Sequence, residues 1–317
     1  MTFALDIGFA AIHLALVLFW PLVLVGIVRR VKARLACRRG LPLLQELTDL
    51  LKLFRKGEVI PDTATWVFRL APWGTWAASA LVALMVPTFS WSVPLGAQAD
   101  FILVIYLLGS SRFLRNLAAL DTATAFAGLA ASRESFVAAL SEPAMVLSLW
   151  CAGWVAGTSR IPEMVWRFSE KAAAELSPVH PLILVALVIV AIAENARVPF
   201  DDPTTHLELT MIHEAALLEY SGPGLALMQW GAGLHLGLSL ALIANLFFPI
   251  GLAAPAELGT VPLGLFSFMA RTSVLAALLG VLESTMARLR FFRITDWLAL
   301  SGAAAVLAVI RLVTVGR

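Results

Sequence analysis

Residues 7–28 read IGFAAIHLALVLFWPLVLVGIV. The run holds one histidine and no charged residue. About 20 apolar residues in a helix cross the hydrocarbon of a bilayer, so this run is read as a transmembrane helix. Comparable runs follow at about 67–89, 97–118, 136–158, 178–197, 225–249, 261–285 and 296–315. Eight such spans with short loops take up most of the 317 residues. The composition agrees: 60% hydrophobic, 14% charged, mean hydropathy +0.87. Soluble domains carry about a quarter charged residues, so a water-soluble enzyme is excluded, and so is a disordered chain. A lipid-facing β-barrel would alternate polar and apolar residues in short segments, and these runs do not.

The stretch from Pro42 to Lys56 is amphipathic rather than spanning. Leu43, Leu44, Leu47, Leu50, Leu51 and Phe54 fall on one helical face, and Gln45, Glu46, Thr48, Asp49, Lys52 and Arg55 on the other. A helix lying in the membrane interface fits this pattern. The expected fold is therefore an all-α polytopic membrane protein, a single transmembrane domain over 1–317. It has about eight transmembrane helices plus one amphipathic interfacial helix at 42–56.

Lysine and arginine set the expected orientation. Nine lie between the first two spans, from Arg29 to Lys56, while on the other face 90–96 and 250–260 hold none and 159–177 holds three. The positive-inside rule places the odd-numbered loops in the cytoplasm and both termini outside. The first residues, MTFALDIGFA, lack a positive n-region and a small-residue cleavage site, and are read as the start of a retained helix. Cys37 and Cys151 are too few and too far apart for a cluster or a zinc site. No cofactor is expected on this chain, and no nucleic acid among its partners.

The chemistry concentrates in AENARVPFDDPTTHLELTMIHEAALLEY, residues 193–220. It holds six carboxylates (Glu194, Asp201, Asp202, Glu208, Glu214 and Glu219), with Arg197, His206 and His213. Pro199 and Pro203 force a non-helical turn after a short apolar core, Leu182 to Ala193. From Thr205 onward the pattern reads as a helix, with His206, His213 and Tyr220 on one stripe. Histidines seven residues apart stand about 10 Å apart along a helix, too far to share one metal ion. Two readings stay open. Crowded carboxylates in a poorly solvated place raise one another's pKa and exchange protons; alternatively the block is a solvated acidic face that docks a basic partner.

Ionisable residues also fall inside or beside the spans: Arg112, Arg115, Arg133, Glu134, Glu142, Arg271 and Glu283. Each must face the protein interior or water, because a charge facing lipid costs several kcal/mol. Glu134 and Glu142 are expected near the cytoplasmic end of the fourth span. Arg112, Arg115, Arg133 and Arg197 are the candidate counter-charges. Glu194 ends a short span and stands at the membrane boundary, where burial and Asp201 oppose Arg197, a placement that suits a proton relay. Asp202 and Glu214 lack such a placement. His13, His180 and His235 are read as hydrogen-bonded packing residues, and nothing in the spacing gives Arg271 or Glu283 a role.

The acidic stretch resembles the corresponding loop of the membrane subunit that anchors the peripheral arm in respiratory complex I and in energy-converting NiFe hydrogenases. Complex I members read E-x-x-R-x-P-F-D before an acidic segment ending in E-Y, matched here by Glu194, Arg197, Pro199, Phe200, Asp201, Glu219 and Tyr220. HLELTMIHEA, LDTATAFAGLAASRE (120–134) and the following Glu142–Pro143–Ala144 look like the hydrogenase branch, which includes formate hydrogenlyase. PLLQELTDLLKLFRKGEVIP (42–61) is similar to a segment of both branches, and STMARLRFFRITDWL (284–298) to the start of the last span. The quinone-proximal pattern of complex I, rich in asparagine and tyrosine, is not found in 105–135, which favours the hydrogenase branch.

The resemblance implies a subunit without a redox centre of its own. It would dock the small and large hydrogenase subunits, which hold a terminal 4Fe–4S cluster and the NiFe site. It would also pass protons toward antiporter-like membrane subunits in a prokaryotic inner membrane. The implied path residues are Glu194, Asp201, Glu208, Glu214, Glu219, Glu134 and Glu142. The alternative is the equivalent subunit of a quinone-reducing, complex I-type NADH dehydrogenase. A free-standing proton-coupled transporter is disfavoured, since the chain shows no internal repeat.

The charge asymmetry yields a topology test. Single cysteines at positions 2 and 317, in a background free of native cysteine, should both react with an impermeant maleimide from the periplasmic side of intact cells. Protection at both ends would overturn the assignment.

Overall fold

The computed structural model describes residues 2–170, 179–201, 212–253, 258–287, 289 and 291–315. Within them the chain forms ten α-helices. These are α1 (Thr2–Leu35), α2 (Gln45–Phe54), α3 (Trp66–Met85), α4 (Phe101–Asp121) and α5 (Ala125–Ala156), then α6 (Ile161–Glu170), α7 (His180–Glu194), α8 (Gly222–Phe247), α9 (Val261–Thr285) and α10 (Phe291–Val315). There is no strand among the described residues; two isolated bridges, Ser90 with Ala253 and Asp100 with Arg160, tie loops together. Among the described residues, seven helices are long and apolar enough to cross a membrane.

The fifth expected span is different. α7 has 15 residues, about 22 Å of helix against a hydrocarbon thickness of about 30 Å. It stops part-way across, and irregular backbone continues from its end.

α8 stands at the centre: 72% of its most apolar window is buried, against 22% for α9 and 28% for α10, which lie outside. The centre is tight because glycine permits close approach. A Cβ on Gly237 would sit 2.5 Å from Pro21 of α1, and one on Gly280 would sit 3.0 Å from Val31. α1, α3, α4, α5 and α7 complete the bundle, with α10 packed on α5 and α7. The ends are pinned by polar side chains. Asp121, at the end of α4, accepts bonds from Thr65 N (2.7 Å) and Phe68 N (3.2 Å), so it caps α3. Tyr220 stacks on Phe68 and donates to its carbonyl. At the other end both ring nitrogens of His13 are bonded, to Ala83 O and Thr88 Oγ1. That agrees with a packing histidine.

Four expectations change. The interfacial helix is shorter than 42–56, covering Gln45–Phe54, with Leu50 buried against Leu22 and Ala226. α5 begins at Ala125, well before the expected 136, so Glu142 stands near mid-helix rather than at its end, and Arg133 is on the helix rather than in a loop. α6 is an additional helix, outside the expected spans; it buries Ile161, Met164, Val165 and Phe168. Finally, the acidic stretch is not a continuous helix up to Tyr220. Residues 202–211, including Asp202, His206 and Glu208, lie outside the described residues. Beyond them the chain bends at Ile212 and makes a single 3-10 turn, Glu214–Leu217. The buried Asp201 carboxylate takes the N–H groups of Ile212 (3.0 Å) and His213 (3.1 Å), so side-chain capping replaces a helical ladder there.

Candidate functional site

The site starts where α7 ends. Ala196 adopts a left-handed backbone (φ 47°). Its N–H bonds to Ala193 O, and the N–H of Arg197 reaches Ile192 O. This is the Schellman arrangement that terminates a helix. Asn195 reinforces it, its amide donating to Ala191 O and to Ser239 Oγ of α8. The chain then passes through Phe200 and Asp201, each 2% exposed. Leu289 N bonds to Pro199 O. Irregular backbone at membrane depth is tolerated only where protein or a water-filled cavity surrounds it, and here protein encloses it, with a small cavity alongside.

Arg112 lies near the midpoint of α4 and divides its guanidinium. Nη1 donates to Glu194 Oε1 (2.8 Å) and Nη2 to Glu142 Oε1 of α5 (2.7 Å). Ser141 Oγ adds a third bond, to Glu194 Oε1 (2.7 Å). One helical turn along α4, Arg115 pairs with Glu134, and His213 Nδ1 stands 3.8 Å from Glu134 Oε1. The side chains of Glu194, Glu134, Arg112 and Arg115 are each at most 10% exposed. Glu142 differs, with 43% of its side chain open on the outer face of the bundle. Buried charges of this kind persist only when paired, and here three carboxylates share two arginines.

Two small cavities meet at Glu194. One, about 20 Å³, is lined by Arg112, Glu134, Asp201 and His213 and opens toward the acidic loop. The other, about 30 Å³, is mostly apolar, with His235 and Ser239 at its polar edge. Each exceeds the roughly 10–15 Å³ needed for one water. His235 Nδ1 is 3.3 Å from Asn195 Oδ1. Glu194 thus connects a polar space on the loop side with a drier one deeper in the bundle.

Of the expected residues, Glu194, Asp201, Glu134, Glu142, Arg112 and Arg115 come together. Glu214 is exposed on its turn and Glu219 is half-buried beside Tyr220, both apart from the Arg112 pair. Arg133 lies on α5 directly before Glu134, and Glu208 falls outside the described residues. Arg197 corrects a further expectation: it pairs with Glu283 of α9 (3.6 Å), not with Glu194. Glu283 also takes Lys32 of α1 (2.8 Å), so a residue whose spacing gave it no role joins α1, α9 and the loop. Beside it Arg29 pairs with Glu46, whose carboxyl is pushed up by burial, against the pull of Arg29. Arg271 bonds the carbonyls of Ala244 and Phe248, closing the end of α8.

Ser141, Asn195 and Ser239 escape a reading of the sequence because a lone uncharged polar residue carries no spacing signal, and His235 reads there only as a packing histidine. Among the described residues no group of three histidine, cysteine, aspartate or glutamate side chains could hold a metal ion.

The chain matches the family model described as NADH dehydrogenase over residues 9–314. It is 35% identical over 299 residues to hydrogenase-4 component C of Escherichia coli, covering 93% of each chain. To formate hydrogenlyase subunit 4 of the same organism it is 34% identical over 283 residues, 87% of this chain and 89% of that one. Its fold superposes with a TM-score of 0.81 on a chain of the membrane-bound sulfane sulfur reductase, an archaeal respiratory membrane complex, at 20% identity over 94% of this chain and 98% of that one.

The shared arginine sets the expected cost of breaking the cluster. Arg112→Met leaves two carboxylates unpaired, a loss of about 3–5 kcal/mol for a buried pair. It should sharply reduce the amount of assembled protein in the membrane. Adding Glu194→Gln should restore much of it. Equal loss in the single and double variants would show that Arg112 acts by packing rather than charge.

Proposed function

The chain belongs to the NADH dehydrogenase family, and on that premise we propose that it is the membrane subunit that anchors the peripheral redox arm of an energy-converting NiFe hydrogenase and carries the first part of its proton path. The observation that supports this most is Arg112, which joins Glu194, at the inner end of the acidic loop, to Glu142, on the outer face of the bundle. The identity to hydrogenase-4 component C and formate hydrogenlyase subunit 4 favours the hydrogenase branch. The identity is lower, 28% over 239 residues, to NADH-ubiquinone oxidoreductase chain 1 of Chondrus crispus, so the quinone-reducing alternative is the weaker reading.

The division of labour is the one that the family resemblance implies. Its described residues offer no ligand set for a redox centre; the 4Fe–4S cluster and the NiFe site belong to the small and large peripheral subunits, and antiporter-like subunits lie beside it in the membrane. The face with α2 and the acidic loop is the cytoplasmic docking face, and both termini lie outside.

Proton transfer then works by charge balance. A charge change in the peripheral arm sends a proton through the cavity beside Asp201 and His213 to Glu194. Two unit charges about 4 Å apart interact by on the order of 4 kcal/mol at an effective dielectric of about 20. Neutralising Glu194 therefore frees Arg112 to pair with Glu142 alone. The electrostatic change moves sideways, from the loop to the outer face, without any large motion of the helices. The pair formed by Arg197 and Glu283, with Lys32, holds the loop against α1 and α9 while this happens.

Glu194→Gln keeps the size and hydrogen bonding of the side chain but cannot ionise. The complex should still assemble and react with soluble dyes, while proton translocation in vesicles is lost. Asp202→Asn should leave translocation near wild type. Equal pumping by Glu194→Gln and wild-type vesicles would remove Glu194 from the path.

A further inference from the structure

Glu142 presents a problem that the chain does not solve by itself. It stands near the middle of α5, opposite Arg112 near the middle of α4, and so at membrane depth. Yet 43% of its side chain is open on the lateral surface. Residue 109 of α4, beside the carboxylate, is glycine; a Cβ there would touch Glu142 Oε1 at 3.6 Å. Among the described residues, the exposed positions flanking it by helical spacing are Tyr106 (70%) and Phe113 (64%) of α4 and Ser135, Ala139 and Val146 (37%) of α5, none of them cationic. Pro143 follows directly and has no N–H to give to the carbonyl of Ala139, one turn earlier. A carboxylate and, within one turn of it, a carbonyl without its helical donor are therefore the acceptors here.

Lipid cannot satisfy them. Hydrocarbon offers no donor, and a carboxylate facing it costs several kcal/mol. Arg112 is already shared with Glu194, so it neutralises Glu142 only in part. A second copy of this chain is a poor occupant too, because the same face would meet carboxylate with carboxylate. We propose that the α4–α5 face around Glu142 is covered by a membrane-spanning helix of a different subunit, which places a lysine, arginine or histidine at the depth of Glu142. This rests on the chain working within a multisubunit membrane complex. It adds a specific surface and the charge of its partner. That cation completes the balance of three carboxylates and two arginines. It also receives the change when Arg112 turns from Glu194 to Glu142.

Photo-crosslinking in the complete membrane complex tests the surface. A benzophenone amino acid replaces Tyr106 or Ala139 on this face, or Leu278 on the outer face of α9 as the reference. Positions 106 and 139 should each give an adduct with one different membrane polypeptide of the complex, in several-fold higher yield than position 278. Adducts with lipid alone, or with a second copy of this chain, would overturn the proposal. The charge is tested separately. Glu142→Leu should lose the different polypeptide from the purified complex, whereas Glu142→Asp should retain it; equal retention by both variants would contradict a charged contact. A lack of adduct beside intact Glu194-dependent pumping would reject this surface and leave the proton path standing.

Discussion

Arg112 is the interaction on which the rest of the arrangement depends. A guanidinium in mid-membrane is costly to desolvate, and this one is held by two carboxylates from two other helices, with a serine on one of them. Its planar fork serves both at once, which the point charge of a lysine could not do with the same geometry. α4, α5 and the end of α7 must therefore meet at one depth. α7 ends at that depth: Glu194 is its last residue, and the chain leaves the helix where that carboxylate meets Arg112. The irregular segment from Asn195 to Asp201 is the consequence, and its buried polar groups are met by Asn195, Asp201 and the Pro199 carbonyl.

A second charged group keeps that segment in place. Glu283, with a side chain 2% exposed, takes both Lys32 and Arg197. Arg29 and Glu46 join α1 to α2 nearby. The interfacial helix, the first and ninth helices and the acidic loop are thereby linked through ion pairs on one end of the bundle. A partner that docks on that end meets a surface whose charges are already connected to the buried cluster. Movement of Arg197 would act on Glu194 through the two residues of backbone between them, Asn195 and Ala196, not by direct contact.

The bundle is largely legible in the sequence because hydrocarbon imposes a long apolar run on every full span. The amphipathic helix around Leu50 is legible for the related reason that its two faces meet different solvents. Glu134, Glu142, Arg112 and Arg115 are recognisable as a group since a charge inside a span must find a partner. Partner choice is not legible. Arg197 lies close to Glu194 in sequence, which suggests a pair, but the left-handed turn at Ala196 sends the two side chains to different neighbours. The helical reading of His213 to Tyr220 fails similarly, because a carboxylate eleven residues away caps the backbone there. Such long-range choices leave no periodicity to read. Ser239 beside Glu194 is invisible for the same reason, and His235 reads in the sequence only as a packing residue.

The central claim is that Arg112 makes the state of Glu142 depend on the state of Glu194. Carbodiimides modify protonated carboxyl groups in apolar surroundings, so the labelling rate of Glu142 in the intact complex, followed by peptide mass spectrometry, measures that dependence directly. In Glu194→Gln, Arg112 serves Glu142 alone and labelling should slow relative to wild type; in Arg112→Met it should quicken. The same rate in all three proteins would contradict the account and reduce the shared arginine to a structural brace.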